Sequence, residues 1–178
     1  MSSMVRHWLI AALVGVALGG IAYLVTLRAT PGLLMAGATK RVAGDTGFNA
    51  MSFPPLATDD ARAIVRPSPD LAYAACPYDL ARGPVLVDVA AVPAPYWSLS
   101  IYDENTDVAF VRNNGQAGGR PIKVAIFKPG GVAPAGYEPV AVPGERGIAL
   151  IRVLVPNRAS FASLDAARRQ SKCAVAGG

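Results

Sequence analysis

The side chains with the densest polar chemistry lie between positions 96 and 107. Tyrosines and serines alternate there and are followed by acids and an amide, in the order Tyr96, Ser98, Ser100, Tyr102, Asp103, Asn105 and Asp107. Tyrosine rings offer apolar area with a polar tip, so such a face can hold a sugar, a lipid head group or a protein. The alternative is an exposed sheet face or a contact with another element of the fold. We take these seven residues as the candidate ligand-binding site.

The acidic end of this stretch, DENTD at 103–107, begins like a calcium loop with the pattern D-x-N-x-D. An EF-hand loop would continue with glycine at the sixth position and a bidentate glutamate at the twelfth, where this chain has Val108 and Asn114. We therefore interpret the run as a polar turn between strands and predict no metal site.

Few residues could perform catalysis. The sole histidine, His7, precedes a long apolar segment, which excludes histidine-based triads and imidazole zinc sites from the chain beyond that segment. The carboxylates that a hydrolase could pair are Asp88, Asp103, Glu104 and Asp107. Nothing in the sequence fixes the distance between any two of them. We predict no catalytic residue and no cofactor, with a carboxylate-dependent hydrolase or another envelope enzyme as the alternative.

An uncharged apolar run, WLIAALVGVALGGIAYLVTL at 8–27, comes before all of these residues. A helix of this length rises about 30 Å, which matches the hydrocarbon core of a bilayer. A cleaved secretory signal is the alternative, but its apolar part is usually only about 7 to 15 residues long. The small residues Ala36 and Ala38 also lie well beyond the end of the run. We predict a transmembrane anchor.

The flanking charges do not decide the orientation of this anchor, because Arg6 on one side is balanced by Arg28, Lys40 and Arg41 on the other. A short tail directly before the apolar run is typical of a signal-anchor, which leaves the tail in the cytoplasm. The predicted division of the chain is a cytoplasmic tail and anchor at 1–28, a tether at 29–57, a β-rich domain at 58–173 and a flexible tail at 174–178.

The charge of the domain excludes one class of partner. Without Arg6 and Arg28, the 17 basic side chains fall to 15 against 12 acidic ones, a net charge of about +3. Nucleic-acid binding needs a basic patch or stripe, and these bases are spread out. We predict no nucleic-acid partner.

Short β-type runs separated by Pro, Gly and Asn begin after position 70. The predicted strands are 71–79, 84–90, 96–103, 108–112, 122–127 and 147–155, the first two forming a hairpin. A short helix is predicted after Thr58 and another from Ser160, the second packing on the sheet. The pattern predicts a mainly β fold, a β-sandwich or jelly-roll-like domain with a short C-terminal helix, preceded by one N-terminal transmembrane helix.

The two cysteines, Cys76 and Cys173, both follow the apolar segment. In an oxidising compartment they can pair, and we predict this disulfide. Two free buried thiols are the alternative.

Three segments of the sequence carry a family resemblance. They are VRPSPDLAYAACPYDLARGPVLVDVA at 65–90, PYWSLSIYDENTDVAFVRNNGQ at 95–116 and RGIALIRVLVPN at 146–157, the last followed by Arg-Arg and Cys. Together they resemble the domain of unknown function 1254 family in its short, membrane-anchored form.

The resemblance implies a bacterial envelope protein with a β-rich domain, and it supplies no catalytic residues. It also implies a separate partner protein that carries the domain of unknown function 1214. We therefore expect a single-pass protein of the bacterial inner membrane with its C-terminal domain in the periplasm. Its expected partners are the lipid bilayer and this second protein, and its expected role is that of a non-enzymatic binding or assembly module.

Overall fold

The computed structural model describes residues 2–58, 60–61 and 66–177. The described residues form two α-helices, α1 (Ser3–Thr46) and α2 (Phe161–Arg168), and two 3₁₀ turns, Leu80–Arg82 and Arg158–Ser160. They also form eight strands, β1 to β8: Leu71–Asp79, Val85–Val89, Trp97–Tyr102, Val108–Asn113, Ile122–Phe127, Glu138–Ala141, Arg146–Leu154 and Lys172–Val175. The short helix predicted after Thr58 falls largely outside the described residues.

Helix α1 contains the whole apolar run and is long and apolar enough to cross a membrane. The hydroxyl oxygen of Ser2 accepts a hydrogen bond from the Val5 N–H at its start, and Gly47, with φ of +81°, ends it. Every described side chain from Ser3 to Thr30 is exposed. The apolar run therefore has no partner within the described chain.

The second half of α1 differs from the predicted tether, because the helix continues without a break to Thr46. Pro31 lies inside it and removes one intrahelical hydrogen bond. Packing offsets this loss: Met35, Thr39 and Ala43 recur every four residues and are buried, and α1 contacts β1 and β7. The part of the predicted tether from 29 to 46 is therefore helical.

The strands form two four-stranded sheets, which confirms the predicted mainly β, sandwich-like fold. The first sheet has the order β1-β7-β3-β4 and is antiparallel throughout. The second has the order β6-β5-β2-β8, with β5 and β6 parallel. The core lies between the sheets, and Trp97 in it is 1% exposed. The long apolar strand β7 is an interior strand of the first sheet.

The predicted hairpin between the first two strands is wrong, because β1 and β2 belong to different sheets. The Leu80–Arg82 turn and Gly83, with φ of +120°, carry the chain from one sheet to the other. Strand β1 instead pairs along its full length with β7, from Leu71 opposite Leu154 to Asp79 opposite Arg146. A local turn signal cannot distinguish a hairpin from a crossover between sheets.

Both pairs of sheet edges are joined across the sandwich. Cys76 on β1 forms a disulfide with Cys173 on β8, with Cα atoms 6.3 Å apart. At the opposite edges, the guanidinium of Arg112 on β4 binds the carboxylate of Glu138 on β6. Strand β8 continues to Val175, into the predicted flexible tail, because it pairs with β2.

The chain between α1 and β1 is also bound to the domain. The side-chain amide of Asn49 exchanges two hydrogen bonds with the backbone of Asp79, and Ser52 bridges to Ala75. The guanidinium of Arg168 on α2 is fully buried and donates to the carbonyls of Tyr73 and Pro54. The end of the predicted tether is therefore part of the folded domain.

Candidate functional site

Strand β3 carries most of the predicted binding residues. Its register places Ser98 opposite Arg152 of β7 and Asn113 of β4, all on the face of the first sheet that is directed away from the core. Ser98 and Ser100 are completely buried, although the alternating pattern predicted a polar face. These two serines are therefore not an accessible platform for a ligand.

Arg152 is the residue of this face that sequence reasoning did not include in the site. Its Nη2 donates to the Ser100 hydroxyl at 2.9 Å, while its Nε and the Ser98 hydroxyl are buried without hydrogen-bond partners. Its position opposite Ser98 depends on the pairing of two strands about fifty residues apart, which no local motif shows. Buried polar atoms without hydrogen-bond partners lower the stability of the sheet at this position.

The acidic run 103–107 is a turn, as interpreted from the sequence. The Oδ1 atom of Asp103 accepts the backbone N–H groups of Asn105 at 2.8 Å and Asp107 at 2.9 Å, and Thr106 has a φ of +69°. Among the described residues, no group of three or more histidine, cysteine or acidic side chains could hold a metal ion. Asp103 is therefore a turn-forming residue.

Tyr102 holds this turn to the domain through its backbone. The buried hydroxyl of Tyr78 donates to the Tyr102 carbonyl at 2.9 Å. Burial raises the pKa of Tyr78 well above its ordinary value, and the negative charges of Asp103 and Glu104 raise it further. The neutral phenol is therefore the form that the fold stabilises.

The candidate carboxylates lie in two separate places. Asp88 lies on β2 of the second sheet, where the Tyr137 hydroxyl donates to it at 3.2 Å, while Asp103, Glu104 and Asp107 lie in the turn that follows β3 of the first sheet. His7 lies on α1 before the apolar run. The geometry of the described residues gives no support to the alternative of a carboxylate-dependent hydrolase.

An exposed apolar surface lies beside the buried serines. Tyr96, Val108 and Val111 are 40%, 57% and 52% exposed, and we name these three residues the open-edge surface. Val108 and Val111 belong to β4, which pairs with β3 on one side and has no second partner strand among the described residues. The N–H of Asn113 bonds to the Gln116 side chain, so Val111, two residues earlier, directs its own N–H to the same open edge.

A cleft, which we name the α1 cleft, lies between α1 and two loops of the domain. It has a volume of about 410 Å³. Helix α1 lines one wall, and the β3–β4 turn and the loop before β7 line the other; the residues are Gly32, Met35, Ala36, Thr39, Lys40, Glu104, Asn105, Glu145 and Arg146. Of the predicted binding residues, the cleft includes Asn105.

Two of the four charges in the α1 cleft are already in ion pairs. Glu145 pairs with Lys128 at 2.5 Å, and Arg146 pairs with Asp79 at 2.8 Å. Although burial by itself raises the pKa of Asp79, hydrogen bonds from the Ala81 N–H and the Arg146 side chain bring it below its ordinary value. The described chain offers no ion-pair partner to the remaining two charges, Lys40 and Glu104.

Solved structures with a similar fold belong to longer chains. The VPA0106 protein from Vibrio parahaemolyticus matches with a TM-score of 0.62 and 17% identity over 82% of this chain and 36% of its own. An uncharacterized protein from Burkholderia cenocepacia matches with a TM-score of 0.50 and 15% identity over 79% of this chain and 39% of its own. These likenesses concern the fold alone. This chain spans about two fifths of their length.

No curated protein matches the sequence. The model of one protein family, described as "Protein of unknown function (DUF1254)", matches residues 48–175, which include all eight strands and α2. This match covers most of the chain and agrees with the resemblance found in its sequence. The chain therefore belongs to the DUF1254 family.

Proposed function

We propose that this chain is a single-pass protein of the bacterial inner membrane whose periplasmic β-domain is a non-enzymatic docking module for another envelope protein. Helix α1 is the anchor, with the short N-terminal tail in the cytoplasm. The observation that carries the docking role is the open-edge surface. Its residues Tyr96, Val108 and Val111 are exposed at a strand that has no outer partner among the described residues.

The structure of α1 supports an anchor over a cleaved signal. Ala36 and Ala38, the small residues that a cleavage site would use, lie in the packed half of the helix, between and beside the buried Met35 and Thr39. Cleavage there would remove Met35 from its contact with the domain. The disulfide between Cys76 and Cys173 also suits the periplasm, where disulfides form and persist.

An apolar strand edge supports docking by another polypeptide. Exposed edge strands are a hazard for aggregation and are normally blunted by charges or covered. On β4, the charged side chain of Arg112 is bound to Glu138 of the other sheet, while Val108 and Val111 remain exposed. An added strand would gain main-chain hydrogen bonds from the open edge and side-chain contacts from the valines.

The partner that we propose is a separate protein carrying the domain of unknown function 1214. The solved structures of similar fold support a partner, because more than half of each of those chains lies outside the matched region.

Co-purification from detergent tests this proposal with two valine variants. The chain is produced together with the protein that carries the domain of unknown function 1214, which we call the companion protein. Recovery of the companion protein is compared for V111D and V132D. Val132 is 82% exposed in the loop between β5 and β6 and is the matched control. We expect V111D to lower recovery about tenfold or more, as for the loss of roughly 1.4 kcal/mol of binding. Equal recovery with V111D and the unmodified chain would overturn the proposed surface.

A further inference from the structure

Helix α1 contacts the first sheet in the order of its strands. Gly32 lies against the turn after β3, since a Cβ added at this glycine would be 3.6 Å from the Asn105 Oδ1 atom. The next part of the helix lines the α1 cleft together with Arg146, the first residue of β7. Just beyond the helix end, the side chain of Asn49 is bonded to the backbone of Asp79 in β1. The contacts thus pass from β3 to β7 to β1.

The lengths involved indicate that the helix axis follows this strand order. Asn49 and Ser52 form a further row beyond β1, with the Asn49 N–H bonded to the Pro77 carbonyl at 2.8 Å. From the turn between β3 and β4 to this row there are about 3.5 strand spacings, or roughly 17 Å. The helix rises about 21 Å from Gly32 to Thr46. Because a helix parallel to the strands would stay beside one or two of them, the strands of the first sheet run mainly across α1.

This arrangement makes β4 the strand of the first sheet that is nearest to the apolar run. At 1.5 Å per residue, Gly32 lies about 8 Å beyond Leu27 along the axis. Strand β4 is half a strand spacing closer to the apolar run than the turn that Gly32 contacts, which places it about 6 Å beyond Leu27. The head-group layer on each side of the hydrocarbon core is roughly 5 to 8 Å deep. With α1 as the anchor, the open edge of β4 therefore faces the bilayer at the level of the head groups.

The exposed side chains have the same polarity. Leu33 and Leu34 on α1, just above the level of β4, are 71% and 65% exposed, and the open-edge surface is exposed as well. The opposite edge of the sandwich, where the disulfide joins β1 to β8, carries the exposed charges of Lys172 and Arg169. Apolar side chains are stabilised in the interfacial layer of a bilayer, while charges are best solvated by water. The apolar side chains thus lie on the membrane side of the domain.

We infer that the docking segment of the companion protein is a juxtamembrane strand, an extended stretch next to a membrane anchor of its own. This inference rests on the proposed docking function and names the kind of segment that docks. A strand added to β4 lies about 5 Å closer to the bilayer than β4 does, between the domain and the hydrocarbon core. One of its edges bonds the main chain of β4 at Val111, whose N–H is directed to the open edge.

The other edge of the added strand limits where the strand can lie. Its N–H and C=O groups must bond to water or to lipid head groups, because unsatisfied backbone groups are not tolerated in hydrocarbon. The strand therefore lies within the head-group layer and runs along the membrane surface. A segment that adjoins an anchor is held in this layer by the anchor, whereas a loop of a soluble protein would have to displace the head groups to reach β4.

Fluorescence quenching in vesicles tests the direction of β4. Because Cys76 and Cys173 are paired, a thiol-reactive fluorophore labels only the cysteine introduced by V111C or A166C. Ala166 is the matched control, since it is exposed on α2 beside β1, and β1 is about 14 Å further from the bilayer than β4. The full-length chain is placed in phosphatidylcholine vesicles that carry a nitroxide quencher on their head groups. We expect V111C to lose most of its emission and A166C to lose almost none. Equal quenching at the two sites, or stronger quenching of A166C, would overturn the inference.

A second arm tests the companion protein by itself. Produced without this chain, the companion protein should stay in the membrane pellet after an alkaline carbonate wash. Its release into the supernatant would overturn the assignment of a juxtamembrane segment. Quenching is measured without the companion protein, so its result does not depend on docking. Failure of the unmodified chain to recover the companion protein would instead overturn the docking proposal, even with β4 facing the bilayer.

Discussion

The guanidinium of Arg112 on β4 donates two hydrogen bonds to the carboxylate of Glu138 on β6, and this pair joins the sheets at the edge opposite the disulfide. The two side chains are 34% and 37% exposed, so solvent screens part of their attraction. The bidentate geometry places the pair at the upper end of the range for surface ion pairs.

A double-mutant cycle measures the contribution of this pair to stability. We expect R112M and E138Q each to lower the free energy of unfolding by about 0.5–1 kcal/mol, with a coupling energy of similar size between them. Urea denaturation of the four proteins gives these values. Strictly additive effects would mean that the two side chains do not interact in solution.

Reduction of the disulfide between Cys76 and Cys173 is expected to destabilise the domain by about 2–5 kcal/mol. Because the bond joins residues 97 positions apart, it strongly reduces the conformational entropy of the unfolded chain. Denaturation of the chain with and without reductant, and of the C76S/C173S variant, measures the effect. Equal stability of the oxidised and reduced proteins would contradict the expectation.

The neighbouring arginines of α2 should differ sharply in their importance. Arg168 is fully buried and binds Asp165 and the carbonyls of Tyr73 and Pro54, so R168A leaves buried acceptors unpaired and should cost about 3–5 kcal/mol. The side chain of Arg169 is 51% exposed and shares the same carboxylate, so R169A should cost less than about 1 kcal/mol. Thermal unfolding of the two variants measures both losses of stability. Similar losses would show that the contact of Arg168 with Pro54 does not stabilise the fold.

Alkaline unfolding should depend on Tyr78. Its pKa is raised in the folded protein, mainly by burial, so the folded state binds the phenolic proton more tightly than the unfolded state does. The stability that this group contributes is complete below the ordinary tyrosine pKa of about 10 and is lost as the pH rises above it. We expect Y78F to be less stable at neutral pH, because it loses the hydrogen bond to Tyr102, and to lose less stability between pH 9 and 11. Parallel pH profiles for the two proteins would exclude a role for this ionisation.

Docking of the second half of α1 on the β-domain can be followed by hydrogen exchange. M35D places a charge at a buried contact, so amides from Ala36 to Thr46 should exchange faster while those of the strands stay protected. G37D is the matched control, since a side chain at Gly37 meets nothing within 4 Å. Equal exchange in the two variants would show that the buried methionine does not fasten the helix.

The strands were the most predictable part of this fold. Alternation and apolar runs placed β1, β4, β5 and β7 close to their observed bounds, because side-chain burial on a sheet has a period of two. Strands β6 and β8 were not foreseen. Each has four residues and owes its place to its partner strands β5 and β2, which is long-range information.

The candidate site was less predictable than the strands. The alternation of Tyr96, Ser98, Ser100 and Tyr102 placed these residues on one face, but it could not distinguish an exposed face from one in contact with another element. Ser98 and Ser100 are buried. The α1 cleft depends on Pro31 continuing a helix and on that helix contacting the domain, and neither follows from residues 29–46 alone.

The unbroken course of α1 through Pro31 fixes an angular relationship between the apolar run and the β-domain. Each residue of a helix contributes 1.5 Å of height and about 100° of rotation. One residue inserted before Met35 would therefore rotate the whole domain by more than a quarter turn about the axis of the apolar run. Four inserted residues would nearly restore the original orientation and move the domain about 6 Å further along the axis. The number of residues between the apolar run and Met35 thus sets the direction in which the domain faces.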